Sequence, residues 1–187
     1  MKVFINPGHM PGIDSGAVNG HLLLRECDIV LSLGQLLASK LESAGCAVML
    51  LQSDNLCGES PAFPNVCHAA NNWPADIFIS MHCNAYNTTV RGTEILCRKE
   101  KSQAGILAQH IRSQLSKTLH GIDSDIPDRG IKERLDLIVL NHTVMPAILI
   151  EVAFIDNDAD ARILVEKQNS LASAIARGIT DYWCHLN

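Results

Sequence analysis

Apolar positions along the chain alternate between two rhythms. Short near-continuous runs occur at Val3 to Asn6, Ala47 to Gln52, Ile77 to Cys83, Gly92 to Cys97, Leu137 to Leu140 and Ala147 to Phe154. Such runs, bounded by turn residues and rich in β-branched and aromatic side chains, predict buried strands. Between them the period lengthens. Ile29, Leu33, Leu36, Leu37 and Leu41 recur at three- and four-residue steps, predicting an amphipathic helix from about Arg25 to Ser43 closed by Gly45. The same spacing returns in Ile106, Leu107, His110, Ile111 and Leu115, and again in Ala159 to Val165 and Ser170 to Trp183. A shorter helix is expected from Asn65 to Asn72, after a loop over residues 53–65. Strands buried on both sides and alternating with helices predict a single α/β domain, a layered structure with a sheet covered on both faces.

The 187 residues suffice for one such domain, and 47% hydrophobic residues can fill its core. The formal net charge of -5 leaves no basic excess to neutralise phosphates, so nucleic acid is excluded as the expected partner. No apolar run approaches the roughly 18–20 residues needed to span a bilayer. The N-terminus enters a strand pattern directly, without a basic n-region and a longer apolar stretch. Seven cysteines, at positions 27, 46, 57, 67, 83, 97 and 184, form no Cys-x-x-Cys pair. Most sit among apolar neighbours and read as small buried hydrophobes, a usage that suits synthesis in a reducing compartment.

Polar residues at strand ends carry the chemistry. His9 follows the first strand after Pro7-Gly8, His82 closes the third, and Glu151 interrupts the apolar run Ala147 to Phe154. A carboxylate inside a buried strand must be paired, hydrogen-bonded or metal-bound, because an isolated buried charge is costly. An ion pair with a neighbouring arginine is one way to meet that need and a catalytic site is another. Two histidines and one glutamate make a catalytic zinc set. The third member on offer is Glu26, in the first turn of the helix and joined to His9 by a glycine-bearing loop. Taken singly, each residue has a plain alternative, a hydrogen-bonded histidine or a glutamate complementing the helix dipole.

Four segments together resemble a family. Asn6-Pro7-Gly8-His9, Arg25-Glu26, Ser80-Met81-His82-Cys83-Asn84-Ala85 and Leu149 to Asn157 are similar, in order and spacing, to the blocks of the type-3 zinc-dependent N-acetylmuramoyl-L-alanine amidases, over nearly the whole chain. The resemblance implies a twisted, six-stranded, mostly parallel mixed sheet with helices on both faces. It implies Zn²⁺ held by His9, Glu26 and His82, Glu151 as catalytic acid/base, and Arg129 and Asn84 as substrate-binding residues, Arg129 for a carboxylate of the peptidoglycan stem peptide. The activity implied is hydrolysis of the bond between N-acetylmuramic acid and L-alanine, by a single catalytic domain of residues 1–187 expected to act as a monomer. In such a site the cation acidifies water and polarises the amide carbonyl, and the glutamate moves the proton. Cys83 is adjacent to His82 on a strand and so belongs to the opposite face, which disfavours a Cys-His hydrolase.

The chain also departs from the family pattern. Asn6 stands where Asp is common, Met10 follows the first histidine in place of Gly, Val152-Ala153 replace Thr or Leu then Gly, and the helix at 65–72 lacks its arginine. Asn6 is expected to change hydrogen bonding around the metal site. Between Cys97 and Ser102 there is no room for the helical plug carried by regulated members, so an open site is expected. Two other readings stay in view, a zinc peptidase or deacylase acting on another amide and a non-catalytic peptidoglycan-binding domain. The wall lies outside the membrane, so the missing leader pattern implies holin-type or other non-classical release, or a piece of a longer protein.

Overall fold

Val3, Phe4 and Ile5 are fully buried because the strand that carries them is flanked on both edges and covered on both faces. In the computed structural model, which describes residues 1–186, β1 (Lys2–Pro7) pairs in parallel with β4 (Ala47–Leu50) and with β5 (Ile77–Asn84). β5 pairs in parallel with β8 (Ala147–Phe154), β8 antiparallel with β6 (Thr93–Cys97), and β6 in parallel with β7 (Asp128–Glu133). The six-stranded sheet thus has the order β4-β1-β5-β8-β6-β7 with a single antiparallel junction. A small antiparallel ribbon, β2 (Val18–Asn19) and β3 (Leu24–Arg25), forms within the glycine-bearing segment after His9.

The two sheet faces are covered unequally. Ile5, Ile79, Met81, Ile148, Ile150 and Val152 pack under three long helices, α1 (Glu26–Ser43), α3 (Gln103–Ile122) and α6 (Gln168–Leu186). On the other face Phe4, Phe78, Leu96, Ala147 and Leu149 meet two short helices, α2 (Val66–Asn72) and α4 (Ile138–Asn141), with loop residues such as Leu51, Leu56 and Met145 beside them. Phe4 and Phe78 stack there with ring centroids 5.5 Å apart. Short cover on this second face leaves the carboxyl ends of the strands open, where ligands gather in α/β sheets.

The expected strand at Leu137–Leu140 is not a strand. Leu140 N and Asn141 N donate to Leu137 O and His142 N to Ile138 O, so the segment closes on itself as α4 and buries Val139 and Leu140 against the thinly covered face. A short apolar run has no periodicity to distinguish strand from helix. The sixth strand is β7 instead, a segment around Arg129-Gly130 that the apolar pattern does not mark as a strand. It is an edge strand with charged residues and a glycine, the composition that protects an open edge from pairing with another chain.

α5 (Asp158–Glu166) is tied to the sheet by one buried carboxylate. Asp160 is fully buried and accepts from Arg91 Nε at 2.7 Å, Gly92 N at 2.9 Å and Phe154 N at 3.1 Å. Arg91 also reaches Asp123 at 2.6 Å through Nη2. Asp160→Ala leaves a partly buried arginine and two backbone N–H groups without this acceptor, and is expected to cost about 3–5 kcal/mol of folding stability in chemical denaturation. A loss under about 1 kcal/mol would show that water replaces the carboxylate at no penalty.

Candidate active site

His82 and Glu151 are partners in the β5–β8 register, and Glu151 and Glu94 in the β8–β6 register. Cross-strand partners share a face, so His82, Glu151 and Glu94 all stand on the thinly covered side of the sheet. Cys83, one residue on, is 3% exposed on the opposite side, where burial first and then the charges of Glu26 and Glu151 push its thiol well above its ordinary pKa. A buried thiol held protonated is no nucleophile.

His9 and Glu26 reach this point from other elements. Gly8 N donates to Met81 O at 2.9 Å, which holds the end of β1 against β5 and brings His9 beside His82. Their rings meet edge to face with centroids 5.0 Å apart. Glu26 opens α1 on the other side of the sheet and is 3% exposed. Its Oε1 lies 2.9 Å from His82 Nδ1 and accepts from Cys83 N at 2.9 Å; its Oε2 lies 3.1 Å from His9 Nε2 and accepts from Ala17 N at 2.8 Å. One donor atom from each of His9, Glu26 and His82 lies within 4.8 Å of the others. A Cβ on Gly8 would enter the His82 ring, and one on Gly16, whose φ is +64°, would meet both the Glu26 carboxylate and the His9 ring. Glycine at these two positions is what lets the three groups converge.

The electrostatics of the cluster favour positive charge on the histidines. Burial opposes a charge on His9, but hydrogen bonds and attraction from Glu26 and Asp14 outweigh it and raise its pKa to about 9. Burial also opposes the charge on Glu26, and the two histidine rings outweigh it and hold the carboxyl at about 2. Positive charge is therefore favoured at this point, and a proton on His9 competes with any metal for it. Asp14 is the residue that sequence reasoning missed. Its Oδ2 lies 2.6 Å from His9 Nδ1 and its Oδ1 accepts from Gly16 N at 2.9 Å, an arrangement that directs His9 Nε2 toward Glu26. Its signal was an acid five residues beyond a candidate ligand, across a tight turn closed by the Met10–Asp14 bridge.

Glu151 differs from the other three. Burial, then the charges of Glu26 and Glu94, raise its pKa to about 8, and its Oε2 is buried with no hydrogen-bond partner among the described residues. The arginine ion pair considered for it is absent among the described residues. Asn6 accepts from Ser80 Oγ at 3.1 Å and donates to Leu51 O at 3.0 Å, and among the described residues it hydrogen-bonds neither histidine. Beside the cluster a cavity of about 330 Å³ is lined by His9, Asp14, His82, Leu137, Ile138 and Leu149, among others.

Comparison with known proteins agrees with this geometry: residues 3–181 match the family model described as N-acetylmuramoyl-L-alanine amidase. The chain belongs to that family. The class is accordingly that of an amidase, an amide-cleaving hydrolase. The chain is 36% identical over 187 residues to YqiI of Bacillus subtilis (strain 168), covering 97% of this chain and 84% of that protein. It is 32% identical to the sporulation-specific N-acetylmuramoyl-L-alanine amidase of the same organism, covering 95% of this chain and 65% of that protein. Among solved structures it resembles the N-acetylmuramoyl-L-alanine amidase AmiC2 of Nostoc punctiforme, with a TM-score of 0.83 and 28% identity over 98% of this chain and 97% of that one. The expected amidase fold, a mostly parallel six-stranded sheet between helices, is the one observed. No helix among the described residues is long and apolar enough to cross a membrane.

Proposed function

We propose that this chain is the catalytic domain, residues 1–187, of a zinc-dependent amidase that cuts peptidoglycan between N-acetylmuramic acid and L-alanine, acting as a monomer on the wall outside the membrane. The observation that carries the reading is the convergence of His9, Glu26 and His82 within 4.8 Å beside a half-buried Glu151 whose buried Oε2 has no hydrogen-bond partner among the described residues. Two imidazoles and one carboxylate fit Zn²⁺, which when bound supplies a Lewis acid that acidifies water and polarises the scissile carbonyl. Asp14 fixes the tautomer and direction of His9, and the Ala17 and Cys83 N–H groups orient Glu26. Glu151 accepts a proton from the attacking water and returns it to the amino group of the departing L-alanine. In the metal-free chain burial raises its pKa, the direction that suits a carboxyl which must both take and give a proton near neutrality.

The site is open toward solvent at the strand ends, and the apolar wall of Leu137, Ile138 and Leu149 beside it suits part of a bulky wall fragment. Arg129 pairs with Glu94, the cross-strand partner of Glu151, and in this reading it meets a carboxylate of the stem peptide. Asn84 contributes to that edge of the cleft through its hydrogen bond to Glu94.

Chelation is expected to abolish lysis of purified walls, and added Zn²⁺ to restore it with one metal per chain and with new L-alanine amino termini in the digest. Undiminished lysis by protein shown to be metal-free by elemental analysis would overturn the mechanism. Release of other amino termini would point to a peptidase or deacylase, and retention on the wall without cleavage to a binding domain.

A further inference from the structure

Glu94 has no part in the proton transfers above, yet it stands opposite Glu151 on the same face of the sheet. Its side chain is only 14% exposed, and both carboxylate oxygens are used. Oε1 accepts from Asn84 Nδ2 at 3.0 Å and Oε2 from Arg129 Nε at 3.0 Å. Placing a second carboxylate so near Glu151 is unfavourable by like-charge repulsion. A glutamine could hold Asn84 as well, so the charge answers to Arg129. The guanidinium carbon of Arg129 also lies 5.1 Å from the centre of the Phe154 ring, and the side chain is therefore fixed from two directions. Arg129 remains 36% exposed, and among the described residues neither Nη group has an acceptor. A guanidinium anchored through Nε with its Nη groups open is a pre-set fork for a carboxylate.

We propose that Glu94 is a positioning residue that holds Arg129 and Asn84 as one fixed polar edge beside Glu151, and so makes the enzyme select stem peptides that carry a free carboxylate over the same peptides with a carboxamide. The proposal rests on the amidase reading given above. It needs no new reaction, since Glu94 acts through Arg129 and never touches the scissile bond. Without the Glu94 charge, Arg129 gains freedom that must be lost again when a carboxylate binds, and the advantage of the charged substrate shrinks.

The test compares kcat/KM for two soluble muramoyl peptides that differ only in a stem carboxylate or its carboxamide. Both undergo the same chemistry, so their ratio cancels any effect of Glu94 on Glu151. The zinc-loaded protein is expected to favour the carboxylate by about tenfold, the scale of one charge-assisted hydrogen bond. Glu94→Gln should lower that ratio at least about fivefold, Arg129→Ala should remove it, and the double variant should match Arg129→Ala. If Glu94→Gln folds poorly, Glu94→Asp keeps the charge but is too short to reach both partners and should lose the ratio equally. An unchanged ratio in a folded Glu94 variant, with Arg129→Ala still reducing it, would overturn the positioning role. A wild-type ratio near one with both peptides cleaved would overturn carboxylate selection and leave the amidase reading intact. Cleavage of neither peptide by the zinc-loaded protein would count against the amidase reading itself.

Discussion

Glu151→Gln is expected to keep fold and metal while turnover falls by about a hundredfold or more, the range for losing a general acid/base. The amide matches the carboxyl in size, and the three residues proposed to hold the metal are untouched. The variant separates three roles in one sample. Lost zinc would make Glu151 a ligand, near-normal turnover would make it structural, and only retained zinc with failed turnover supports the proton carrier. Stability gives an independent check in the metal-free protein. The native carboxyl binds its proton up to about pH 8, whereas the unfolded chain releases it near 4.5, the ordinary value for a glutamate. Between those values the native state holds more protons than the unfolded state, so stability attributable to this group falls as pH rises. Wild type should therefore lose stability relative to Glu151→Gln from about pH 5 to pH 8, by a few kcal/mol at about 1.4 kcal/mol per unit. Parallel pH profiles for the two proteins would mean that Glu151 is not held protonated.

Sequence pattern carries the interior of this fold well and its periphery poorly. β1, β5 and β8 are legible because burial on both faces demands uninterrupted Val, Ile, Leu and Phe, and no other element of that length does. That same uniformity made Glu151 conspicuous, since a polar residue in a strand with no solvent face needs a partner. β7 was illegible for the converse reason. An edge strand must not look sticky, and Asp128, Arg129, Gly130, Lys132 and Glu133 give it a loop's composition. Leu137 to Leu140 is as apolar as a strand, but its local hydrogen bonds make a helical turn that floors the cleft.

The site shows a similar division. His9, Glu26 and His82 come from three elements far apart in sequence, and only the ordered family blocks joined them before the structure did. Asp14 and Glu94 escaped because each acts on another side chain and not on a substrate. An exposed acid in a glycine-rich turn, or a glutamate at the start of a short strand, is ordinary composition. Their roles depend on contacts of 2.6 Å to His9 and 3.0 Å to Arg129 that no spacing rule anticipates.

His82→Ala is expected to lower zinc affinity by more than about a hundredfold and to abolish wall lysis together with it, because one of three protein ligands is gone. The size of the loss is what identifies a ligand. Removing a partner that only orients a ligand costs about 10–100-fold in affinity, and Asp14→Asn supplies that comparison within the same site. Asp14 bonds the ring nitrogen of His9 that points away from Glu26, so its amide variant weakens the orientation of His9 and leaves all three donor atoms in place. His82 Nδ1 belongs to the converging set itself, and the ring is only 21% exposed at the end of an otherwise buried strand. Competition against a chelator of known affinity, with circular dichroism confirming that both variants fold, ranks the two losses. His82→Ala should fall well below Asp14→Asn, and extra zinc should rescue lysis by the Asp14 variant alone. Stoichiometric zinc at wild-type affinity in His82→Ala would show that the cation, if any, is held elsewhere and that the converging triad is a hydrogen-bonded pair of histidines around a buried glutamate.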